Sequence, residues 1–212
     1  MKNPLHYQLS EYDCGPTSML NAISFLFERE DIPPEIIRNI MLYSLDCYGL
    51  GGDFGKRGTS RTAMMFLSNW LDGYGQTCSL PISSSYIAGK SVCIGEESLI
   101  NDALRRHGAV VLRLHYEGEH YVLLTGEQED NILLFDPWFE EPGTDISDQH
   151  QKLGIIVTTE HPFSYNRIVP SAVFNRETHD VYALGETDLR EAVLLFNSRV
   201  ELTEENTIEY FI

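Results

Sequence analysis

Apolar residues recur at three- and four-residue intervals through the first third of the chain and cluster into short unbroken runs through the middle third. Residues 15–30, GPTSMLNAISFLFERE, place Met19, Ala22, Ile23, Leu26 and Phe27 on one helical face behind a first-turn Pro16. Phe25 widens that face, so the helix is expected to be buried on nearly every side. A second helix is predicted over 33–46, opening on Pro33-Pro34, and a third over 60–72, capped by Thr59 or Ser60. A fourth covers 96–107, EESLINDALRRH, whose early acids and late Arg105 and Arg106 suit the helix macrodipole.

The period then changes. AVVLRLHY, HYVLLTG and NILLFDP are rich in Val, Leu and aromatics and are separated by Gly118 and by EQEDN, which predicts an antiparallel meander. Further strands are expected at 153–159, 168–174 and 180–184. ETDLREAVLLFNS (186–198) reads as a capped amphipathic helix, with Leu189, Ala192, Val193 and Phe196 on one face. Helices followed by strands imply an α+β fold. No repeat, low-complexity tract or long Pro/Gly/Ser linker interrupts the chain, so the expected organisation is a core over 1–150 with a C-terminal extension, 151–212, packed on it.

Composition narrows the functional classes. The 212 residues are 42% hydrophobic, enough to fill a core. Fifteen Lys+Arg against 32 Asp+Glu give a net charge of −17, which supplies neither the basic footprint of a nucleic-acid binder nor a cationic face for anionic lipid. No apolar run approaches the roughly 20 residues that span a bilayer, and the start, MKNPLHYQLSEYDCG, turns polar early. A soluble cytoplasmic protein is the expectation.

The four cysteines form no CxxC or CxxH pair, and Cys47, Cys78 and Cys93 read as small hydrophobes. No metal is expected. His115 and His120 are five apart and would face opposite ways on a continuous strand, while His161-Pro162 and His179-Asp180 have no partners at a diagnostic spacing. The glycine-rich YGLGGDFGKRG fits neither GxGxxG nor GxxxxGK[ST] and reads as a loop that borders a cleft. No organic cofactor is implied.

Cys14 stands apart because it precedes a buried helix. Unpaired N–H groups of a first turn stabilise a thiolate, and a thiolate is a nucleophile toward carbonyl carbon. The oxyanion formed by that attack needs fixed donors, which the Gln8 side chain and the Cys14 N–H can supply, while Gly15 leaves room for substrate. His120 can take and return a proton, and Asp136 can hold the other ring nitrogen.

Gln8, Asp13, Cys14 and Gly15, followed by His120-Tyr121-Val122 and by Asp136-Pro137, resemble the motifs of papain-like cysteine peptidases, and most closely the double-glycine peptidases that process bacteriocin leaders. GTSRTAMMFL and SLINDALRRHGAVVLRL resemble the steps between those motifs, so the resemblance spans about residues 5–140. It implies a papain-like α+β fold with Cys14 as nucleophile, His120 as base and acid, Asp136 as orienting carboxylate and Gln8 as oxyanion donor, acting on a peptide. A phytochelatin-synthase-like transpeptidase would use the same residue types in this order. A peptide-binding module that keeps the fold without turnover is the non-enzymatic alternative.

Between Glu117 and Asp148 lie ten carboxylates and no Lys or Arg. Part of that field is expected to reach a cleft carrying His120 and Asp136, and so to favour cationic peptides. Trp138, directly after Asp136-Pro137, is placed to wall the site.

Overall fold

Three helices cover one face of the sheet: α1 (Cys14–Leu26), α2 (Pro34–Ser44) and α3 (Arg61–Thr77). The computed structural model describes residues 1–47, 56–78, 80–140 and 145–199, so the glycine-rich loop is described only from Lys56 onward. Strand β1 (Ile82–Ala88) follows α3, and the short helix α4 (Leu99–Arg105) leads into the meander β2 (Ala109–His115), β3 (Glu119–Gln128) and β4 (Asn131–Phe135). Helix α5 (Asp145–Lys152) and strands β5 (Ile156–Val157), β6 (Arg167–Pro170) and β7 (Glu191–Asn197) complete the described residues. The fold is α+β, with one seven-stranded sheet in the order β1-β7-β2-β3-β4-β6-β5 and every pairing antiparallel.

Alternation along the central strands divides the core in two. Val111, Tyr121, Leu123, Val193 and Leu195 pack with Met19, Ile23, Ile40, Met64 and Leu67 from α1–α3. Their neighbours Val110, Leu112, Val122, Leu124 and Leu194 pack instead with Ile100 and Leu104 of α4 and with Phe174 and Tyr182 from the chain after β6. Because both faces of the sheet are covered, these strands read as continuous apolar runs.

Caps set the helix boundaries. Ser60 Oγ accepts from Ala63 N at 3.1 Å and opens α3, which continues to Thr77, beyond the expected end at 72. Ser98 Oγ accepts from Asn101 N at 3.1 Å, so α4 begins after Glu96 and Glu97 and spans only 7 residues. Helix α1 stops at Leu26, and residues 29–31 form a separate single turn.

Several expectations change on folding. The segment expected as an amphipathic helix at 186–198 is instead the inner strand β7, held by β1 on one side and β2 on the other. Ala192 and Leu194 enter one core while Val193 and Leu195 enter the other, a two-sided burial that the sequence pattern also allows for a helix. The chain at 180–184 is a turn with Tyr182 at φ 61°, rather than a strand. Strand β1, ISSSYIA, was not expected because serine weakens the apolar signal; the pairing with β7 and the Ser84 N–H bond to Asp72 Oδ1 at 3.1 Å fix it. The expected strands at 153–159 and 168–174 shorten to β5 and β6. Among the described residues, no helix is long and apolar enough to cross a membrane.

Candidate active site

Cys14 is the first residue of α1 and is 7% exposed. Asp13 occupies the N-cap position, yet its side chain makes no cap. Its carboxylate turns back to accept from Leu9 N at 3.0 Å and from Ser10 N and Ser10 Oγ at 2.7 Å each. The first-turn amides beside Cys14 are thus left without a carboxylate cap, and the loop before the helix is held in shape instead.

That loop carries Gln8. Its backbone N donates to Pro137 O at 2.8 Å, which ties it to the residue after Asp136. Its Nε2 donates to Ser10 O at 2.7 Å, and its Oε1 is buried without a partner. One Nε2 hydrogen therefore remains available to a ligand in the cleft that Gln8 lines.

A Cβ on Gly15 would lie 2.2 Å from Thr59 Oγ1, so the missing side chain lets Thr59 pack against the start of α1.

His120 is the second residue of β3, and the register pairs it with Leu114 of β2. Ser18 Oγ donates to Tyr121 O at 2.9 Å, joining α1 to β3 one residue from His120. His120 Nε2 lies 2.8 Å from Asp136 Oδ1, and the ring lines one cleft with Cys14. With Nε2 on the carboxylate, Nδ1 is the nitrogen left for the thiol. Burial pulls the imidazole pKa down, but the Asp136 charge and hydrogen bond, joined by Cys14, overcome it and push it up to about 10.

Asp136 is 0% exposed, and every polar atom it has is engaged. Oδ1 also accepts from Trp138 N at 2.8 Å, Oδ2 accepts from Tyr182 Oη at 2.6 Å, and the backbone exchanges two 2.8 Å bonds with the Asn166 side chain. Burial would raise its pKa, but His120, Arg167 and Tyr182 together hold it below the usual carboxylate range. Behind it, Arg167 and Glu140 form a buried pair at 3.4 Å beside His150, whose pKa burial and Arg167 press down to about 4. Tyr182, Asn166 and Arg167 escaped sequence reasoning because they lie 30 to 46 residues from Asp136 in ordinary residue types, with no motif to mark them.

A cleft of about 460 Å³ is lined by Gln8, Cys14, Tyr116, Glu117, His120 and Trp138, among others. A second cavity of about 220 Å³ shares Glu11, Tyr12, Cys14 and Glu119 with it and is completed by Arg57, Gly58, Thr59 and Tyr121. The two hollows meet at Cys14. Three carboxylates, Glu11, Glu117 and Glu119, border the larger one. Other acids of the 117–148 stretch are spent elsewhere: Glu127 pairs with Arg105 and Glu140 with Arg167.

No family model and no curated protein matches the chain. Among solved structures, the peptidase domain of Streptococcus mutans ComA matches with a TM-score of 0.33 and 14% identity, over 64% of this chain and 78% of that one.

Proposed function

We propose that this protein is a cysteine peptidase, or a related amide-bond hydrolase or transferase, acting on peptides in a papain-like arrangement. The observation that carries the reading is a buried carboxylate–imidazole pair whose histidine lines one cleft with a cysteine that two hollows share.

In this mechanism the proton of Cys14 resides on His120, and the sulfur attacks the substrate carbonyl carbon. The carbonyl π electrons move to oxygen, and the free Nε2 hydrogen of Gln8 and the backbone N–H of Cys14 stabilise the oxyanion. Collapse breaks the C–N bond as His120 gives its proton to the departing amine, leaving a thioester on Cys14. Water then attacks the thioester with His120 as base, releasing acid and restoring the thiol; an amine in place of water would give transfer. Asp136 keeps Nε2 protonated and the ring in plane throughout. The two hollows suit an extended peptide running past Cys14, and the carboxylates along the larger one suit cationic side chains.

The test is a peptide carrying an electrophilic carbonyl, with the adducted residue mapped by mass spectrometry. The expected result is one adduct, on Cys14, lost in Cys14→Ala. Gln8→Ala should keep the fold and lower turnover by about 10²- to 10³-fold, the usual loss of one oxyanion donor. Peptide binding without any adduct at Cys14 would instead identify a non-catalytic binding module.

A further inference from the structure

A second cluster of chemically capable side chains lies on the side of the β2–β3 hairpin turned away from His120. His115 ends β2, where the register sets it opposite Glu119 while His120 sits opposite Leu114, so the side chains of His115 and His120 point to opposite faces. Folding brings to it two residues from the turn region after β6. Donor atoms of His115, His179 and Glu186 all lie within 4.8 Å of one another. His179 Nε2 is 3.2 Å from Glu186 Oε1 and 3.3 Å from Oε2, and the rings of His115 and His179 lie 4.4 Å apart, centroid to centroid, at 31°.

The backbone beneath this cluster is fixed. His115 N donates to Ala183 O at 2.9 Å and Tyr182 N donates to His115 O at 2.8 Å, locking the end of β2 to the 182–183 turn. Gly185 adopts φ +69°, and a Cβ there would come within 2.4 Å of His115 Nε2, so the imidazole occupies space that only a glycine leaves open. Gly185 N in turn donates to Arg176 O at 3.1 Å. By contrast, the His179 and Glu186 side chains are 67% and 55% exposed.

From these positions we infer that His115, His179 and Glu186 form a binding site for a late first-row divalent cation, with zinc as its natural probe. Two imidazoles and one carboxylate are a donor set that zinc accepts, with water completing a tetrahedron. Bonds of about 2.0–2.2 Å place tetrahedral donors roughly 3.3 Å apart. The His179–Glu186 separation already meets that distance, and rotation of the two exposed side chains closes the remainder toward the fixed His115 ring. Sequence spacing gave no sign of the site because its members come from both ends of a 71-residue excursion through the sheet, from 115 to 186.

A bound ion would act on the neighbouring cleft through the scaffold. It would clamp the hairpin carrying Tyr116, Glu117 and Glu119, which line the cleft, to the segment carrying Tyr182, which holds Asp136.

The experiment is calorimetric titration of zinc chloride into the full chain bearing Cys14→Ala, which removes the competing thiol beside His120. One saturable equivalent is expected, with a rise in thermal midpoint. Adding His179→Ala should weaken binding at least about tenfold and abolish that rise, while leaving the metal-free midpoint unchanged because His179 is exposed. Glu186→Gln should weaken binding as well. No saturable binding, or affinity that neither substitution alters, would overturn the assignment.

Discussion

The Tyr182 hydroxyl donates to Asp136 Oδ2 at 2.6 Å in a setting where both residues are 0% exposed. A carboxylate oxygen so far from water has no substitute for that donor. Tyr182→Phe should therefore cost about 1–3 kcal/mol of stability, the penalty for a buried acceptor left unpaired, measured as a shift in urea midpoint at constant slope. An unchanged midpoint would show that water reaches Asp136 once the hydroxyl is gone.

Exposure and activation predict opposite orders of thiol reactivity. Cys78 is exposed, Cys47 and Cys93 are half-buried, and Cys14 is buried at the helix start beside His120. Burial and the neighbouring Asp46 raise the Cys47 thiol, which makes it a slow competitor. Iodoacetamide at pH 6 should nonetheless alkylate Cys14 first, read by peptide mapping. Leading modification of Cys78 would mean that accessibility alone governs the cysteines and that Cys14 is not activated.

The His120–Asp136 pair makes stability depend on pH in a stated direction. In the unfolded chain the imidazole titrates near ~6.5, and in the fold at about 10, so the folded state holds the extra proton between these values. The resulting stabilisation is fully present below ~6.5 and is lost as pH rises through about 10. For Asp136, whose folded value is depressed, the contribution is present above its ordinary ~3.9 and is lost as pH falls through the folded value. Asp136→Asn should be least stable relative to the wild type between pH ~3.9 and ~6.5, with the gap closing in alkali and in acid. Urea midpoints from pH 3 to 10 test this, and a gap independent of pH would show that the pair is not ionised.

Substitution of Gly15 tests its packing role. Gly15→Ala sets a methyl 2.2 Å from Thr59 Oγ1 and 2.7 Å from Thr59 Cβ, and such overpacking costs about 1–3 kcal/mol. Thr59→Gly in the same chain should recover most of the loss. Failure of that rescue would place the constraint in the backbone rather than in Thr59.

Glu11, Glu117 and Glu119 along the cleft set the expected substrate charge. Across a peptide library, kcat/KM should be higher for substrates bearing Lys or Arg, and the preference should shrink as salt shortens the screening length below about 8 Å. Because Arg113 pairs with Glu119, the double variant Glu11→Gln, Glu117→Gln should remove more of the preference than Glu119→Gln. A salt-independent preference would point to contact recognition in place of the field.

The sequence by itself determined the parts whose signal is local. Helical spacing and Pro16 marked α1, Ser60 carried the chemistry of its own cap, and the runs around 109–135 marked the meander that sets His120 on β3 beside Asp136 at the end of β4. Cys14 at a helix start, with a histidine and an aspartate sixteen residues apart, was legible in the chain as candidate chemistry. Tertiary structure decided the rest. EAVLLFN suits a buried helix or a strand covered on both faces, and only the edges offered by β1 and β2 choose the strand. The support of Asp136 by Tyr182 and Asn166, and the meeting of His115 with His179 and Glu186, join residues remote in sequence. Such contacts are set by which sheet edges pair and which faces are covered, and no local propensity encodes them.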